Sequence, residues 1–545
     1  MSDKQTTSKG FAILSLAGII NKFLAVAYVS IQTMLVGNYG NGIINAGYNI
    51  YIFIYALSNA GIPVAISKLI SERSALGDYK GSKKILRIAG LILVCFGVFF
   101  CSMMLLGAGW ISNQISQPKA KLMLMALAPT LLFTSISALF RGYFQGRQNM
   151  TPTALSQVIE QALNSILTIV FVALLVKYGV SMAAAGSTIG TSMGALGAAM
   201  FLAFLFFRSR KKRLEEMESS NYDGPQITDK EVLKQILSYC LPAILGMVAV
   251  NASNIIDLKF GVSRMIDGGI SSVHATALYG ILTTQYQKVL NLPLAVTAAL
   301  PAALIPAISY AKASNNLSML YHKINESFKV ILMITIPSAF GLAVLAKPII
   351  TLVIFSTKQN QGADLMQIGS WVMIAMAVIY VQTATLLGVG KALIPPVNMM
   401  IGMIFKLAIN YFLIAVPSIN VKGAVIGTTA GFVITCVLNQ IAIKKHTGIS
   451  VKYVSLVYRP LIASAVMSAA AFGLYVLSDR LLSGIIKSSL LLNDVSLFIA
   501  IAAGAGLYAV ILLYTKAVEA TDIRKLPMGN KISNFLVRRN ILKVN

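Results

Sequence analysis

Charged side chains are scarce in this sequence: only 12% of its 545 residues are Asp, Glu, Lys or Arg, against roughly a quarter in soluble domains. That scarcity excludes an ordinary water-facing globular surface. Acid is rarer still, with 18 Asp and Glu against 45 Lys and Arg. The four cysteines, Cys95, Cys101, Cys240 and Cys436, all fall in apolar blocks without metal-ligand spacing, so they read as small buried apolar residues. The three histidines, His274, His322 and His446, are scattered near expected loops, so no metal site is expected. No hydrolase nucleophile motif and no Gly-x-x-x-x-Gly-Lys-Ser/Thr loop occurs. The chain therefore reads as a non-enzyme without a cofactor. Any transport it performs would draw on Na+ or H+ gradients, membrane potential or substrate flux.

Apolar residue is abundant, at 57% with mean hydropathy +0.76, and it comes in long blocks. Leu86 to Gly109, Ile166 to Phe207 and Val330 to Phe355 are each long enough to hold a span of roughly 20 residues. An all-α integral membrane protein follows, because only helices and closed barrels satisfy their backbone in lipid. The apolar blocks place about fourteen helices, near 11–37, 47–72, 86–112, 121–142, 152–177, 181–207, 236–262, 277–309, 326–346, 361–387, 396–416, 421–444, 456–478 and 494–516. The first block contains Asn21 and Lys22 and lacks a cleavage signature, so it reads as a retained helix.

The net charge of +27 would suggest nucleic acid in a soluble protein. Here the basic residues gather in alternate short loops, which points to topology and anionic lipid instead, with no nucleic-acid partner. Lys4, Lys9, Arg73, Lys80, Lys83, Lys84, Arg147, Lys211, Lys444 and Lys445 belong to the basic set, whereas Asn38 to Ala46 carries no charge. The positive-inside rule then puts both termini in the cytoplasm of a multi-pass plasma-membrane protein.

The mixed-charge linker Arg208 to Gln235 divides the chain near its middle, and the two sides look related. Gly146-Arg147 before Pro152 parallels Gly390-Lys391 before Pro395-Pro396. Gly61-Ile62-Pro63-Val64-Ala65 parallels Ala299-Leu300-Pro301-Ala302-Ala303. An offset of roughly 240 residues spans about six helices, as in a parallel repeat of two bundles.

A charge at mid-bilayer costs about 2.5–3.5 kcal/mol, so charges inside spans tend to face protein or water. Lys22, Glu160, Asp257, Lys259, Lys288 and Lys406 are such charges. Lys22 stands beside Asn21 about 16 Å into its helix. Lys288 lies in the polar cluster Gln285 to Asn291, and α-helical spacing would put Gln285, Lys288 and Leu292 on one cavity-lining face. Lys22, Lys288, Asn21, Gln285 and Asn291 are thus the candidate substrate-binding residues. Glu160 and Lys406 occupy nearly equivalent helices, each with an Asn one turn on (Asn164 and Asn410), so a pair between them could act as a latch or a proton switch. Asp257 follows Asn251 and Asn254; the group could hold sodium, or the carboxylate could be neutralised by Lys259 or Lys288. Glu160, Asp257, Lys406 and Asn410 are the candidates for gating or ion coupling.

The run Leu139-Phe140-Arg141-Gly142-Tyr143-Phe144-Gln145-Gly146-Arg147-Gln148-Asn149-Met150-Thr151-Pro152 through Gln161 resembles the helix 4–5 signature of the SpoVB/YtgP branch of polysaccharide exporters. That branch includes the MurJ-type lipid II flippases. Gly47-Tyr48-Asn49, Gly61 to Lys68, Gly77-Asp78-Tyr79 and Tyr286 to Leu294 resemble it too. The resemblance implies the MOP-superfamily fold: two six-helix lobes in a V, working by alternating access, plus two C-terminal helices. The lobes would be residues 1–230 and 231–450. Residues 451–545 would supply the last two helices, with a groove for a polyprenyl tail, and a cytoplasmic tail.

The resemblance also implies basic cavity residues that hold a substrate pyrophosphate. Lys22 matches the first of two helix-1 arginines of that group and Lys288 the helix-8 arginine. Tyr28 stands at the second helix-1 position, and no basic residue falls in the middle of helix 2. The implied cargo is undecaprenyl-pyrophosphate-linked peptidoglycan precursor, lipid II. The alternatives are another lipid-linked glycan, of teichoic acid, capsule or spore cortex, and, more distantly, a drug cation. Transient contact with cell-wall synthases is the implied protein partnership.

Overall fold

A computed structural model describes residues 7–515 except 60, 219–221, 223, 226, 298–299, 315, 357–359 and 452; several further side chains within helices, that of Lys22 among them, lie outside the described set. No strand occurs among the described residues. By contacts the chain divides into two compact units, 1–284 with 410–421 and 285–409 with 422–545. The division falls at other positions than the expected boundary at 230.

The first unit contains α1 (Thr7–Asn59), α2 (Ile62–Ala75), α3 (Tyr79–Gln114), α4 (Lys121–Gly146), α5 (Thr151–Leu175), α6 (Val180–Arg208), α7 (Arg210–Glu218), α8 (Asp229–Asp267) and α9 (Ser272–Gly280). A π-helical segment, Ile281–Gln287, then carries the chain into the second unit. There follow α10 (Lys288–Thr297), α11 (Leu300–Ala313), α12 (Leu317–Val344), α13 (Ala346–Ile354), α14 (Ala363–Gly369), α15 (Val372–Gly388), α16 (Ile394–Leu413), α17 (Lys422–Thr447), α18 (Tyr453–Leu482) and α19 (Ser489–Tyr514). The end of α16, from Asn410, belongs to the first unit.

Among the described residues, 11 helices are long and apolar enough to cross a membrane, or 12 if the pair Ala363–Gly369 and Val372–Gly388, bent by 50°, is one span. Fourteen were expected. The expected helix at 277–309 is instead divided among α9, the π segment, α10 and α11.

The expected loop at Asn38 to Ala46 is helix. The chain bends at Gly37, whose φ of 65° and ψ of −174° suit glycine alone, and continues helical to Asn59. Polar side chains span the bend: Gln32 Nε2 donates to Asn41 Oδ1 at 3.0 Å, and Asn41 Nδ2 donates to Thr33 Oγ1 at 2.9 Å. All three are buried. Close approach to α9 also holds the second arm of α1. A Cβ at Gly42 would lie 2.1 Å from the Thr276 carbonyl oxygen, and one at Gly280 2.1 Å from that of Asn38. Asn45 and Asn49 donate across the same contact to Thr284 Oγ1 and Tyr279 Oη, both at 2.8 Å.

The internal similarity is visible in how α4 and α15 end. The amide of Arg147 donates to Tyr143 O, that of Gln148 to Gln145 O and that of Asn149 to Phe144 O. Val389, Gly390 and Lys391 repeat the pattern on Thr385, Leu387 and Leu386. Gly146 accommodates Ile70 of α2 and the carbonyl of Ser67; Gly388 accommodates Ile308 of α11 and the carbonyl of Ile305. Gly146 therefore corresponds to Gly388, two residues before the Gly390 that identity alone suggested. The left-handed position after each helix is filled by Gln148 in one and Gly390 in the other, and that exchange misled the alignment.

Glycines also seat α6 on α5. Cβ atoms at Gly186, Gly190 and Gly194 would lie 2.9, 2.5 and 2.6 Å from Phe171 O, Thr168 N and Glu160 O. In the second unit Gly402 and Gly431 bring α16 and α17 together the same way. Small residues at such crossings let helix backbones approach where lipid offers no hydrophobic driving force. In the C-terminal pair, Ala463, Ser464 and Gly504 are packed, whereas Ala469 and Gly506 face outward. Cys95 is exposed, not buried as its apolar neighbours suggested; an apolar stretch in lipid buries only its protein-facing side.

Candidate functional site

Lys288 is the first residue of α10, directly after the π segment. A π turn holds more residues than an α turn, so side chains leave it out of α phase. Gln285 is consequently fully buried, not on a cavity face with Lys288. Its Oε1 accepts from the Gly362 amide at 2.7 Å. The next residue, Tyr286, donates its hydroxyl to Gly369 O at 2.9 Å. Both glycines are required. A Cβ at Gly362 would lie 2.5 Å from Gln285 Cβ, and one at Gly369 2.4 Å from the Tyr286 oxygen. Gln285 is thus corrected from a ligand to an anchor of the π segment.

Two consecutive side chains are thus fixed on the α14 region, and Lys288, two residues on, is partly exposed. It makes no hydrogen bond or ion pair among the described residues. Asn291, one turn on, is exposed beside it, and Leu292 is 37% exposed. A cation and an amide three residues apart can meet one anionic, hydrogen-bonding group. Asn21 is partly buried on α1, and its Oδ1 has no hydrogen-bond partner among the described residues. The side chain of Lys22 lies outside the described set.

The first unit carries a second charged group. Glu160 on α5 pairs with Arg141 of α4: Arg141 donates to Glu160 Oε2 at 2.7 Å and to Ser156 Oγ at 3.0 Å. Arg141 is the cation that faces Glu160. The sequence reading placed Arg141 in the family signature without assigning it a role. Its signal was a guanidinium one residue inside the end of an expected span. Tyr48, Tyr51 and Tyr55 form a ring ladder on α1, with centroids 5.6 and 6.0 Å apart. Asn164, one turn beyond Glu160, accepts from both Thr168 and Thr191 at 3.1 Å.

Asp257 and Asn410 come together as a buried carboxylate and amide, 2% and 0% exposed, with Asn410 Nδ2 donating to Asp257 Oδ1 at 2.9 Å. Asn410 Oδ1 has no hydrogen-bond partner among the described residues. Lys259 reaches the carbonyl of Gln114, and Asn251 donates to Met247 O of its own helix. Lys406 is fully buried on α16, and its Cβ would meet a Cβ at Gly431 of α17 at 3.1 Å. A Cβ at Gly194 would meet the Glu160 carbonyl and the Asn164 Cβ, as one at Gly431 meets the Gly402 carbonyl and the Lys406 Cβ, so the position equivalent to Lys406 is Asn164 and not Glu160. No group of three or more His, Cys, Asp or Glu that could hold a metal occurs among the described residues.

A family profile described as polysaccharide biosynthesis protein matches residues 7–312. The chain is 28% identical to the lipid II flippase MurJ of Bacillus subtilis (strain 168) over 477 residues, covering 85% of this chain and 87% of that one. It is 27% identical to stage V sporulation protein B of the same organism, covering 97% of this chain and 99% of that one. Among solved structures, an inward-facing multidrug-resistance MATE transporter of the MOP superfamily aligns with TM-score 0.67 at 16% identity, over 81% of this chain and 98% of that one. A lipid II flippase MurJ in an inward closed conformation aligns with TM-score 0.66 at 14% identity, over 92% and 99%.

Proposed function

The chain belongs to the polysaccharide biosynthesis protein family and has the membrane-transporter fold of the MOP superfamily, and from that premise we propose that it flips an anionic lipid-linked glycan from the inner to the outer leaflet. Lipid II is the favoured cargo, supported by the 28% identity to a lipid II flippase. The observation that carries the reading is Lys288, a cation in an apolar stretch, held by a built π segment with no partner among the described residues. An uncompensated charge at membrane depth is costly, and a substrate pyrophosphate would offset that cost. Asn291 supplies a neighbouring hydrogen-bonding group, and Lys22 is the second cation by resemblance. An ammonium holds phosphate as a point charge without the bidentate fork of arginine, which suits a cargo that must be released.

In this reading the two repeats work by alternating access, both termini face the cytoplasm, and the C-terminal helices α18 and α19 guide the polyprenyl tail. Coupling to Na+ or H+ through Asp257 and Asn410 is part of the same proposal, as is transient contact with the synthases that use the product.

The test is complementation in a strain lacking other flippases, with lipid II accessibility measured at the outer face. Wild-type chain should restore accessible lipid II, and Lys288→Ala and Lys22→Ala should not, although both accumulate in the membrane. Full rescue by Lys288→Ala overturns the site. Failure of the wild-type chain to restore lipid II would move the cargo to another lipid-linked glycan. The 27% identity to a sporulation protein supports spore cortex as the next assay, ahead of teichoic acid and capsule.

A further inference from the structure

The start of α3 gathers cations that the reading above does not use. Asp78 caps the helix, accepting from the Gly81 amide at 2.7 Å, and also pairs with Arg73 at 3.2 Å. Lys84 is likewise committed, to Asp229 at 3.0 Å and to the Ile227 carbonyl at 2.9 Å. Lys80, Lys83 and Arg87 are exposed and make no hydrogen bond or ion pair among the described residues. These side chains, with Asp78 and Ile227, border a recess of about 260 Å³. The one carboxylate at its wall is already neutralised by Arg73 and the capped amide, so the recess presents net positive charge.

The same helical face continues as an apolar stripe. At about 100° per residue, Lys80, Lys83, Arg87, Leu91, Val94 and Val98 fall within roughly 80° of one another. Leu91, Val94 and Val98 are 67%, 41% and 49% exposed. The opposite side, with Ile85, Ala89 and Leu93, is fully buried. From Arg87 to Val98 the helix rises about 16 Å, close to one leaflet of a hydrocarbon core about 30 Å thick. Cations at one end and a leaflet-long apolar track below match an amphiphile with an anionic head; a soluble anion would have no use for the track.

We propose that α3 carries a binding site for one anionic phospholipid, with its phosphate held by Lys80, Lys83 and Arg87 at the recess beside Ile227 and an acyl chain along Leu91, Val94 and Val98. The site is independent of the cargo and of Lys288.

The full chain in nanodiscs of phosphatidylcholine doped with phosphatidylglycerol tests it, with retained lipid counted by native mass spectrometry. The wild type should retain one phosphatidylglycerol in preference to phosphatidylcholine. The variant Lys80→Gln/Lys83→Gln/Arg87→Gln should lose that preference, by about fivefold per cation removed. The single variant Arg87→Gln should lose about fivefold, which keeps the test sound if the triple variant folds poorly. A control that removes as many charges elsewhere, Lys119→Gln/Lys121→Gln/Lys177→Gln, should retain the lipid as wild type does. Equal loss in the control would show diffuse attraction and overturn the site. Displacement of the lipid by soluble glycerol phosphate at millimolar concentration would overturn it in favour of a soluble anion.

Discussion

Lys288 and Glu160 were both legible as charges interrupting apolar sequence, but the structure gives them different surroundings. Glu160 has Arg141 at 2.7 Å, with side chains 29% and 17% exposed. Glu160→Gln should therefore strand the guanidinium and destabilise the protein by about 1–3 kcal/mol. The double variant Arg141→Gln/Glu160→Gln should cost less than the sum of the singles. Thermal unfolding of the four proteins in detergent checks this, and strict additivity would mean the two groups are uncoupled. Lys288 has no such partner among the described residues. Lys288→Ala should leave the unfolding temperature within about the range of a surface change while abolishing flipping. Lys288→Arg should keep part of the activity because the charge survives. The misreading of Gln285 has a simple source. Three-residue spacing predicts a shared face only at α-helical pitch, and nothing in Ile281–Gln287 announces a π turn.

Elements were legible where a single local signal decides them. Most apolar blocks became helices, and the basic loop Gly146 to Asn149 proved to be a helix end with its own amide closure. The breaks were less legible because their energy is tertiary. Gly37 closes the first expected span and is followed by the polar, glycine-rich run Asn38 to Gly42, yet nothing there announces that helix resumes past the bend; its backbone is one that residues with a Cβ adopt at a cost of about 1–3 kcal/mol. Gly37→Ala should lower stability by that amount, read as a lower melting temperature in detergent; an unchanged value would mean the bend can straighten. Gly369→Ala tests the π segment from its far side. The added methyl would press on the Tyr286 hydroxyl and on Val425. Flipping should fall about as far as in Lys288→Ala although α14 itself tolerates alanine. Wild-type activity in Gly369→Ala would separate Lys288 from its anchor.

At the scale of the whole molecule, composition alone established membrane residence, because no soluble surface can be built from so few charges. The repeat was legible in order but not in register: the correspondence of Gly146 with Gly388 emerges from what each glycine touches, and those partners, Ile70 and Ile308, lie more than 70 residues upstream of their glycines. The bioenergetics of the proposed reaction also belong to this scale. Carrying about two negative charges outward down an inside-negative potential of about 100 mV releases roughly 4.6 kcal/mol, at about 2.3 per charge. In proteoliposomes the rate of outward flipping should rise when a potassium diffusion potential is imposed in that sense. A rate indifferent to the potential, and sensitive instead to a sodium or proton gradient, would shift the driving force to the Asp257–Asn410 pair.

The π segment also limits how this gene can change length. Loss of a single codon within Ile281–Gln287 would take out the extra residue that the wide turn holds, and the segment would relax to ordinary pitch. A loss at Gln285 or Tyr286 would remove a side chain that now holds the Gly362 amide or the Gly369 carbonyl. A lipid-facing surface can absorb such a slip, because one apolar side chain serves there nearly as well as another. Here the residue count itself is part of the design, so an in-frame deletion inside the segment should cost the protein more than the same deletion at a lipid-facing turn.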